Sequence, residues 1–419
     1  MRSFEHTFNV LTKVIEEGIP FNLAIKSTLK LEKKKVDSDF KSSISATSGC
    51  VLRHYYVFKE IFSRKYNEEK ENRFLLFAIG LANHLFSKRF EEKELFKYIE
   101  KESELDGVVE FISSFNDPKT LIPEDIEYGS RKYTSLRYNI PIWIVSMWEK
   151  NAGPFLSKKL YKGLSKHQYT LVRVNTNEIK EEEFYSKYPD FEKFESLEGL
   201  AKYKGEQPLK KHKAIFSNDA ILIPGGFAYM LKDLDIDPIR GIAIYGGSTN
   251  AIIDELYLRL GVNFKADYLC GTQKHFFEVR DAVKKYGLVN LSLYECEHQA
   301  ILTCISKPVH TFFLCPENSY FLGLIERPDY FLSCKQEDLD SFIKIEYESL
   351  IEASHHVEDG GDLVYFVPTF CRNETKSIIH RFIKEHEGFS LVEEKQLFPF
   401  DKYESMLYFA ILRKEVKHD

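Results

Sequence analysis

The sequence contains no Cys-x-x-Cys pair, and its 7 cysteines, at positions 50, 270, 296, 304, 315, 334 and 371, are odd in number and scattered. That pattern argues against a disulfide framework and against a zinc site of thiolate type, and no other metal site is expected. Also missing is any run of about 18 apolar residues, the length a membrane-spanning helix needs. The first ten residues, MRSFEHTFNV, lack the uninterrupted apolar core of a signal peptide. Basic charge is not in excess either. With 58 Lys and Arg against 64 Asp and Glu the net charge is −6, so contact with nucleic acid has to come from local stretches rather than from a coat of positive charge. No internal repeat or low-complexity segment occurs. These absences predict a soluble, reduced, cytoplasmic protein that is a monomer with no membrane or metal partner.

The 419 residues exceed one ordinary domain, and roughly two to three domains of about 100–200 residues are expected. Hydrophobic content of 43%, with 14% aromatic, is ample for packed cores. Up to about residue 150 the pattern is helical. FEHTFNVLTKVIEEG places Phe8, Leu11, Val14 and Ile15 at helical spacing and stops at Gly18 and Pro20, while FLLFAIGLANHLF reads as a mostly buried helix. About five or six helices and no good strand are expected there. Between about 150 and 213 the composition turns to Lys, Glu and Tyr, and YTLVRVNTNEI (169–179) is the one clear strand-like run. From about 214 short apolar strands alternate with amphipathic helices, the signature of a largely parallel open sheet. The expected strands are GIAIYGG (241–247), ADYLC (266–270), NLSLYEC (290–296), HTFFLC (310–315), DLVYFV (362–367), opened by Gly360 and Gly361, and SMLYFAILRK (405–414).

Taken in order, three further stretches are informative: VDSDFKSSISATSGCVLRHYYVFKEIF with its Gly-x-Val-Leu-Arg-His core, RYNIPIWIVSMWEKNAG, and LVRVNT with its Arg-Val-Asn. Together with YESLIEASHHVEDGGDLVYFVPTFCRNETKSIIHRFIKEHEGFSLV, they resemble the Sun/RsmB type of ribosomal RNA cytosine-C5 methyltransferases over nearly the whole chain. The resemblance implies a multidomain fold. It comprises an all-α NusB-like RNA-binding domain at 1–148, a small α+β connector at 149–213, and an α/β Rossmann-like class I methyltransferase domain at 214–419. It implies rRNA or the small ribosomal subunit as partner and S-adenosylmethionine as cofactor, with Arg53, Arg173 and Asn175 meeting the RNA. Gly246, Gly247, Ser248, Thr249 and Glu297 fall where the family holds the cofactor.

The chemistry implied by the family is demanding. Cytosine carbon 5 is too weak a nucleophile to take a methyl group until a thiolate adds to carbon 6, and a second group must then remove the carbon 5 proton. In the family, cysteines at two strand ends do this work; here those positions read Asn318 and Pro368. Neither residue can supply a thiolate. Cys315 and Cys371 each lie three residues away and are either buried structural thiols or relocated nucleophiles, and a relocated thiol faces a steep cost, since misplacement by about 1 Å costs about a hundredfold. The cofactor loop keeps Gly246, Gly247 and Thr249 but has Tyr245 and Ser248 in place of Pro and Lys, so it either still binds or merely allows close packing. The acid expected after the second strand is Cys270, which predicts weak cofactor binding or none. Three functions therefore stay open: a methyltransferase acting on rRNA, a catalytically inactive paralogue that binds RNA or assembling ribosomes, and a binder of another small molecule in the old cofactor cleft.

Overall fold

The computed structural model describes residues 3–30, 37–67, 70–166, 170–246 and 250–416. By its internal contacts the chain forms two compact units. One comprises Met1–Ser157 with Gly323–Gln336, and the other comprises Lys158–Leu322 with Glu337–Asp419. The boundary follows a break at Gly153 and Pro154, where Gly153 has φ 74° and interrupts the helical run Ile142–Lys166. Pro in a helix interior removes a hydrogen bond and clashes with the preceding turn, so a break belongs there.

The first unit is helical throughout. Ser3–Ile15, Phe21–Lys30, Ser38–Arg53, Tyr55–Tyr66, Glu71–Ala82 and Glu92–Ser103 are its longer helices, joined by the shorter Val108–Ser113 and Arg131–Tyr138. These exceed the five or six expected, because short helices of one or two turns give little periodic signal. Two helix starts carry side-chain caps. Asp37 accepts from the Phe40 N–H at 2.6 Å, and Ser130 accepts from the Tyr133 N–H at 3.1 Å. The apolar stripes converge on a core that includes Val10, Leu11, Phe58, Phe62, Phe77 and Leu81.

That core is completed from far along the chain. Residues Gly323–Gln336 belong to the helical unit, and Phe331 lies within its core, with ring centroids 5.1 Å from Tyr55 and 5.2 Å from Tyr56. Asp329, only 5% exposed, accepts the Phe21 N–H at 3.2 Å and pairs with Arg327 at 3.1 Å. The ERPD stretch is thus a structural plug for the helical unit.

The second unit holds two sheets. The small one contains β1 (Leu171–Val174), β2 (Phe191–Lys193), β3 (Leu200–Tyr203) and β4 (Ala220–Ile221), all antiparallel, in the order β2-β3-β1-β4. Only β1 was legible from composition, through its apolar run LVRV; the others are short and lie in Lys- and Glu-rich sequence. The large sheet has β5 (Ile242–Gly246), β6 (Ala266–Cys270), β7 (Leu291–Glu295), β8 (Val309–Cys315), β9 (Val357–Val367), β10 (Phe389–Leu397) and β11 (Leu407–Lys414). Their order is β10-β11-β9-β8-β5-β6-β7; β5 to β9 run parallel, and β11 is antiparallel to both neighbours.

Helices cover both faces of this sheet, so its central strands are buried on both sides and read as continuous apolar runs. Along β5, Ile242 and Ile244 join one core with Tyr268, Phe313 and Phe366, while Ala243 and Tyr245 join the opposite core with Leu314, Leu363 and Tyr365. Two features depart from the sequence expectation. β10 was not anticipated, because SLVEEKQ is an edge strand with polar residues on its open side. Gly360 and Gly361 do not open a strand but lie within β9, where Gly360 has φ 79° and the pairing with β8 shifts register between Val309 and Thr311.

Replacing Phe331 by Ala should lower the stability of the helical unit by about 3 kcal/mol, the usual cost of emptying a buried aromatic site. Urea denaturation of the full chain followed by hydrogen exchange of Tyr55–Tyr66 checks it; unchanged exchange there would remove the plug from the core.

Candidate functional site

Strand β5 is the point at which the chain order in the sheet reverses, with β6 and β7 to one side and β8 and β9 to the other. In open parallel sheets the crevice beyond the carboxyl ends of the strands at such a point is where ligands bind. A cleft of about 540 Å³ opens there, large enough for a nucleoside. Its wall is built from successive strand ends: Tyr245 and Gly246 at the end of β5, Gly271 and Thr272 after β6, Glu297, His298 and Gln299 after β7, Cys315 at the end of β8, and residues 316–318 with Tyr320 beyond it. Lys274, His275 and Glu278 enter from the first turns of the helix Gln273–Tyr286, whose start Thr272 caps by accepting the His275 N–H at 3.2 Å.

Gly246 is where the cleft is tightest against the backbone. Its φ is 68°, and a Cβ there would sit 2.1 Å from the Cys315 carbonyl oxygen. No other residue fits, because the obstacle is main chain and cannot rotate away. The expected cofactor positions Gly247, Ser248 and Thr249 lie outside the described residues. Glu297 does line the cleft, exposed at its rim. Cys270 does not. Its side chain is fully buried on the sheet face shared with Tyr268 and Phe313, and burial pushes its thiol up to about 12.

The residues present fit an S-adenosyl group in part. Carboxylates at Glu278, Glu297 and Glu317 are available for hydroxyls, amines or a sulfonium, and Tyr245, 6% exposed, borders the cleft without filling it. Phe313 is wholly inside the core and takes no part. What is missing is a carboxylate directly after β6, so a ribose would be held by Glu278 or Glu297 from the side.

Asn318 and Pro368, the residues that the sequence resemblance singles out, both have structural roles. Asn318 forms a turn, donating through Nδ2 to the Pro316 carbonyl at 2.8 Å and accepting the Tyr320 N–H at 2.8 Å, which holds Tyr320 at φ 51°. Pro368 accepts the Leu322 N–H at 3.1 Å through its carbonyl. The loops after β8 and β9 are further tied by Glu374. Its carboxylate accepts the Ser319 N–H and the Ser319 hydroxyl, both at 2.6 Å, and that hydroxyl lies 2.6 Å from the Thr369 hydroxyl. Cys315 and Cys371 are 4% and 2% exposed, and burial pushes both thiols well above their ordinary range, so neither is a thiolate at neutral pH.

The residues expected to meet RNA are in different situations. Arg53 is exposed at the last turn of Ser38–Arg53. Arg173 is turned inward: its Nε is 3.1 Å from the fully buried Glu255 carboxylate, and its Nη1 donates to the Glu198 carbonyl at 2.6 Å. Asn175 is fully buried and donates to the Asn218 carbonyl at 2.8 Å. Arg173 and Asn175 therefore brace the small sheet. The sequence reading missed Thr272, Lys274, His275 and Glu278, although Thr272, directly before the periodic run Gln273–Tyr286, is a favoured N-cap residue type. It also missed Ser319 and Glu374, whose meeting depends on two loops far apart in sequence.

No protein-family model and no curated protein matches this chain. Solved structures do. A protein designated PH0851 is 14% identical, with 98% of each chain covered and a TM-score of 0.74. NSun6 from Pyrococcus horikoshii, solved with the ligand SFG, is 12% identical over 67% of this chain and 100% of its own, with a TM-score of 0.58. A methyltransferase homolog protein from Pyrococcus horikoshii is 14% identical over 67% of this chain and 97% of its own, with a TM-score of 0.57. Among the described residues no helix is long and apolar enough to cross a membrane, and no group of three or more His, Cys, Asp or Glu could hold a metal ion. The fold is that of a helical N-terminal unit joined to an α/β unit of Rossmann-like methyltransferase architecture.

Gly246→Ala should destabilise the α/β unit by about 3 kcal/mol, combining the left-handed backbone with a clash against main chain. Urea denaturation measures it, and a loss below about 1 kcal/mol would mean that β5 and β8 do not approach as closely as described.

Proposed function

We propose that the chain is an RNA-binding member of the NOP2/Sun group of RNA methyltransferases, of Sun/RsmB type, that no longer performs cytosine-C5 methylation. The observation that carries this reading is the pair of strand ends at Asn318 and Pro368, where a turn and a backbone hydrogen bond stand in place of two thiols. Its partner is rRNA of the small ribosomal subunit, bound by a monomer in the cytoplasm. Residues 1–148 act as the NusB-like domain, 149–213 as the connector and 214–419 as the methyltransferase-like domain. The neighbours NSun6 and the methyltransferase homolog support the family, and the colinear motifs support its Sun/RsmB branch.

S-adenosylmethionine is the ligand of the cleft in this reading, and when bound it supplies an electrophilic methyl group. The chain's own residues do the rest. Glu297 and Glu278 hold the ribose hydroxyls or amines, Tyr245 closes the wall, and the loops after β8 and β9 present no ionised thiol to a base. Arg53 meets RNA phosphate, whereas Arg173 and Asn175 keep β1 in the form that presents the connector.

A second reading follows from the cleft itself. It is open at about 540 Å³ rather than plugged, so a small molecule other than S-adenosylmethionine could occupy it in a protein with no RNA role.

Three measurements separate these readings. Tritiated methyl transfer to 16S rRNA is expected at the level of a no-enzyme blank, and transfer above the blank that disappears in Cys315→Ala or Cys371→Ala would restore the enzyme. RNA affinity is expected to fall steeply with salt, and Arg53→Ala should weaken it and reduce the salt slope by about one; salt-independent binding would remove the RNA reading. Calorimetric titration is expected to detect weak S-adenosylmethionine binding, reduced about tenfold by Glu297→Gln, the equivalent of one lost charge-assisted hydrogen bond of about 1.5 kcal/mol. No heat at millimolar ligand would leave the cleft to another molecule.

A further inference from the structure

Outside the cleft, one surface of the second unit joins aromatic rings to a run of positive charge. The turn between β10 and β11 reads FPFDKYES, residues 398–405. Its two phenylalanines lie nearly parallel, with ring centroids 5.1 Å apart and planes 6° from one another, and Phe370 from the loop after β9 meets Phe398 edge-on at 5.1 Å. Phe400 is the outermost of the three and is 36% exposed. Phe398 covers one face of that ring, so the exposed area belongs to the rest of it.

The turn is rigid. Asp401 accepts the Phe398 N–H at 2.9 Å through its carboxylate, and its own N–H donates to the Phe398 carbonyl at 2.9 Å. Pro399 fixes the backbone between the two rings. Glu404 accepts the Thr170 and Leu171 N–H groups at 2.7 and 3.3 Å. Both acids of the turn are thus taken up by backbone donors, while Lys402 stays exposed, its Nζ 5.2 Å from the Tyr403 ring centroid. The turn is also fastened to the cleft's own loops. Gln396 donates through Nε2 to the Thr369 carbonyl at 3.2 Å, and the Thr369 hydroxyl meets Ser319, which stands between the cleft residues Asn318 and Tyr320.

Beside Phe400 runs the helical segment that follows the break at Gly153. A Cβ at Gly163 would lie 3.2 Å from Phe400 Cδ1, so helix and ring are in close contact at that glycine. From Lys158 to Lys166 the segment contains lysines at 158, 159, 162 and 166 and no acid. Lys158, Lys159 and Lys162 are exposed, and Lys159 lies one turn before Gly163 on the same face. In a chain of net charge −6 this is a local concentration of positive charge against an aromatic ring.

We infer that the Phe398–Phe400 pair is a stacking platform for a base of single-stranded RNA, with Lys159, Lys162 and Lys402 following the strand's phosphates. An unpaired strand offers what this surface matches: every base has a π-face to lay on a ring, and every link carries a charge to meet a lysine. A double helix hides its base faces, and an apolar protein partner has no use for the lysines. The inference rests on the RNA reading above and deepens it, by assigning the strandedness of the RNA and the residue on which a base sits.

Fluorescence anisotropy of a labelled, mixed-sequence RNA oligonucleotide, single-stranded or annealed to its complement, tests it on the full chain. Phe400→Ala and Phe400→Leu should each weaken single-strand binding about tenfold, the loss of one stacked base, and leave duplex binding unchanged. Phe400→Trp should keep the affinity, and the oligonucleotide should quench the new indole beyond any response of Trp143 and Trp148 in the native chain. Lys159→Ala should lower the salt slope by about 0.7, one phosphate of a single strand. Unaltered binding in Phe400→Ala, full binding in Phe400→Leu, which keeps an apolar contact but cannot stack, or an unquenched Phe400→Trp would each overturn the platform while the RNA reading stands. A native chain that binds duplex but no single strand would likewise overturn the platform alone. One that binds neither overturns both.

Discussion

The contact on which the α/β unit depends is between two stretches of main chain: the end of β5, at Gly246, against the Cys315 carbonyl at the end of β8. It brings the two central strands together at the point where the sheet order reverses. The cleft exists because the loops from these strands must then diverge, one toward each face of the sheet. A side chain at 246 would push the strand ends apart and dissolve the crevice before any ligand mattered.

Once those ends are fixed, the chemistry of the site is decided by what the next few residues do. After β8 the chain folds back on itself through Asn318, and after β9 it receives Leu322 and Ser319. These loops are held together by the fully buried acid Glu374. The tie spends a carboxylate, two hydroxyls and two backbone N–H groups on holding the two loops together beside the cleft. Such an arrangement favours a stable rim over reactivity.

The large sheet was legible in sequence because its strands are buried on both faces. GIAIY, ADYLC and HTFFLC are continuous apolar runs, and their boundaries fall within a residue or two of the strands observed. β10 and the short strands β2, β3 and β4 were not legible, since edge strands with polar outer faces and strands of two to four residues leave no period to read. At the cleft, Gly246 and Glu297 were visible because one ends a legible strand and the other lies two residues past one. Cys270 was placed correctly along β6 but its orientation was not, as one residue of alternation decides whether a strand-end side chain meets a ligand or the core. The inward turn of Arg173 was hidden for a different reason: its partner Glu255 is 82 positions away and reads in sequence as an ordinary helix residue. Glu374 was hidden in the same way, as an acid in a loop whose burial emerges only from three-dimensional packing.

The plug formed by Gly323–Gln336 has a consequence for how the protein is made. The N-terminal helices emerge first from the ribosome, yet the residue that completes their core, Phe331, is translated only after most of the large sheet. Contacts this distant in sequence form late. The helical unit must wait in an unfinished state, its Tyr55 and Tyr56 faces uncovered, while the chain that will seal it is still being synthesised. Its final closure has to await a segment made after β8, so the helical unit, though first in sequence, is not completed before part of the α/β unit has been synthesised.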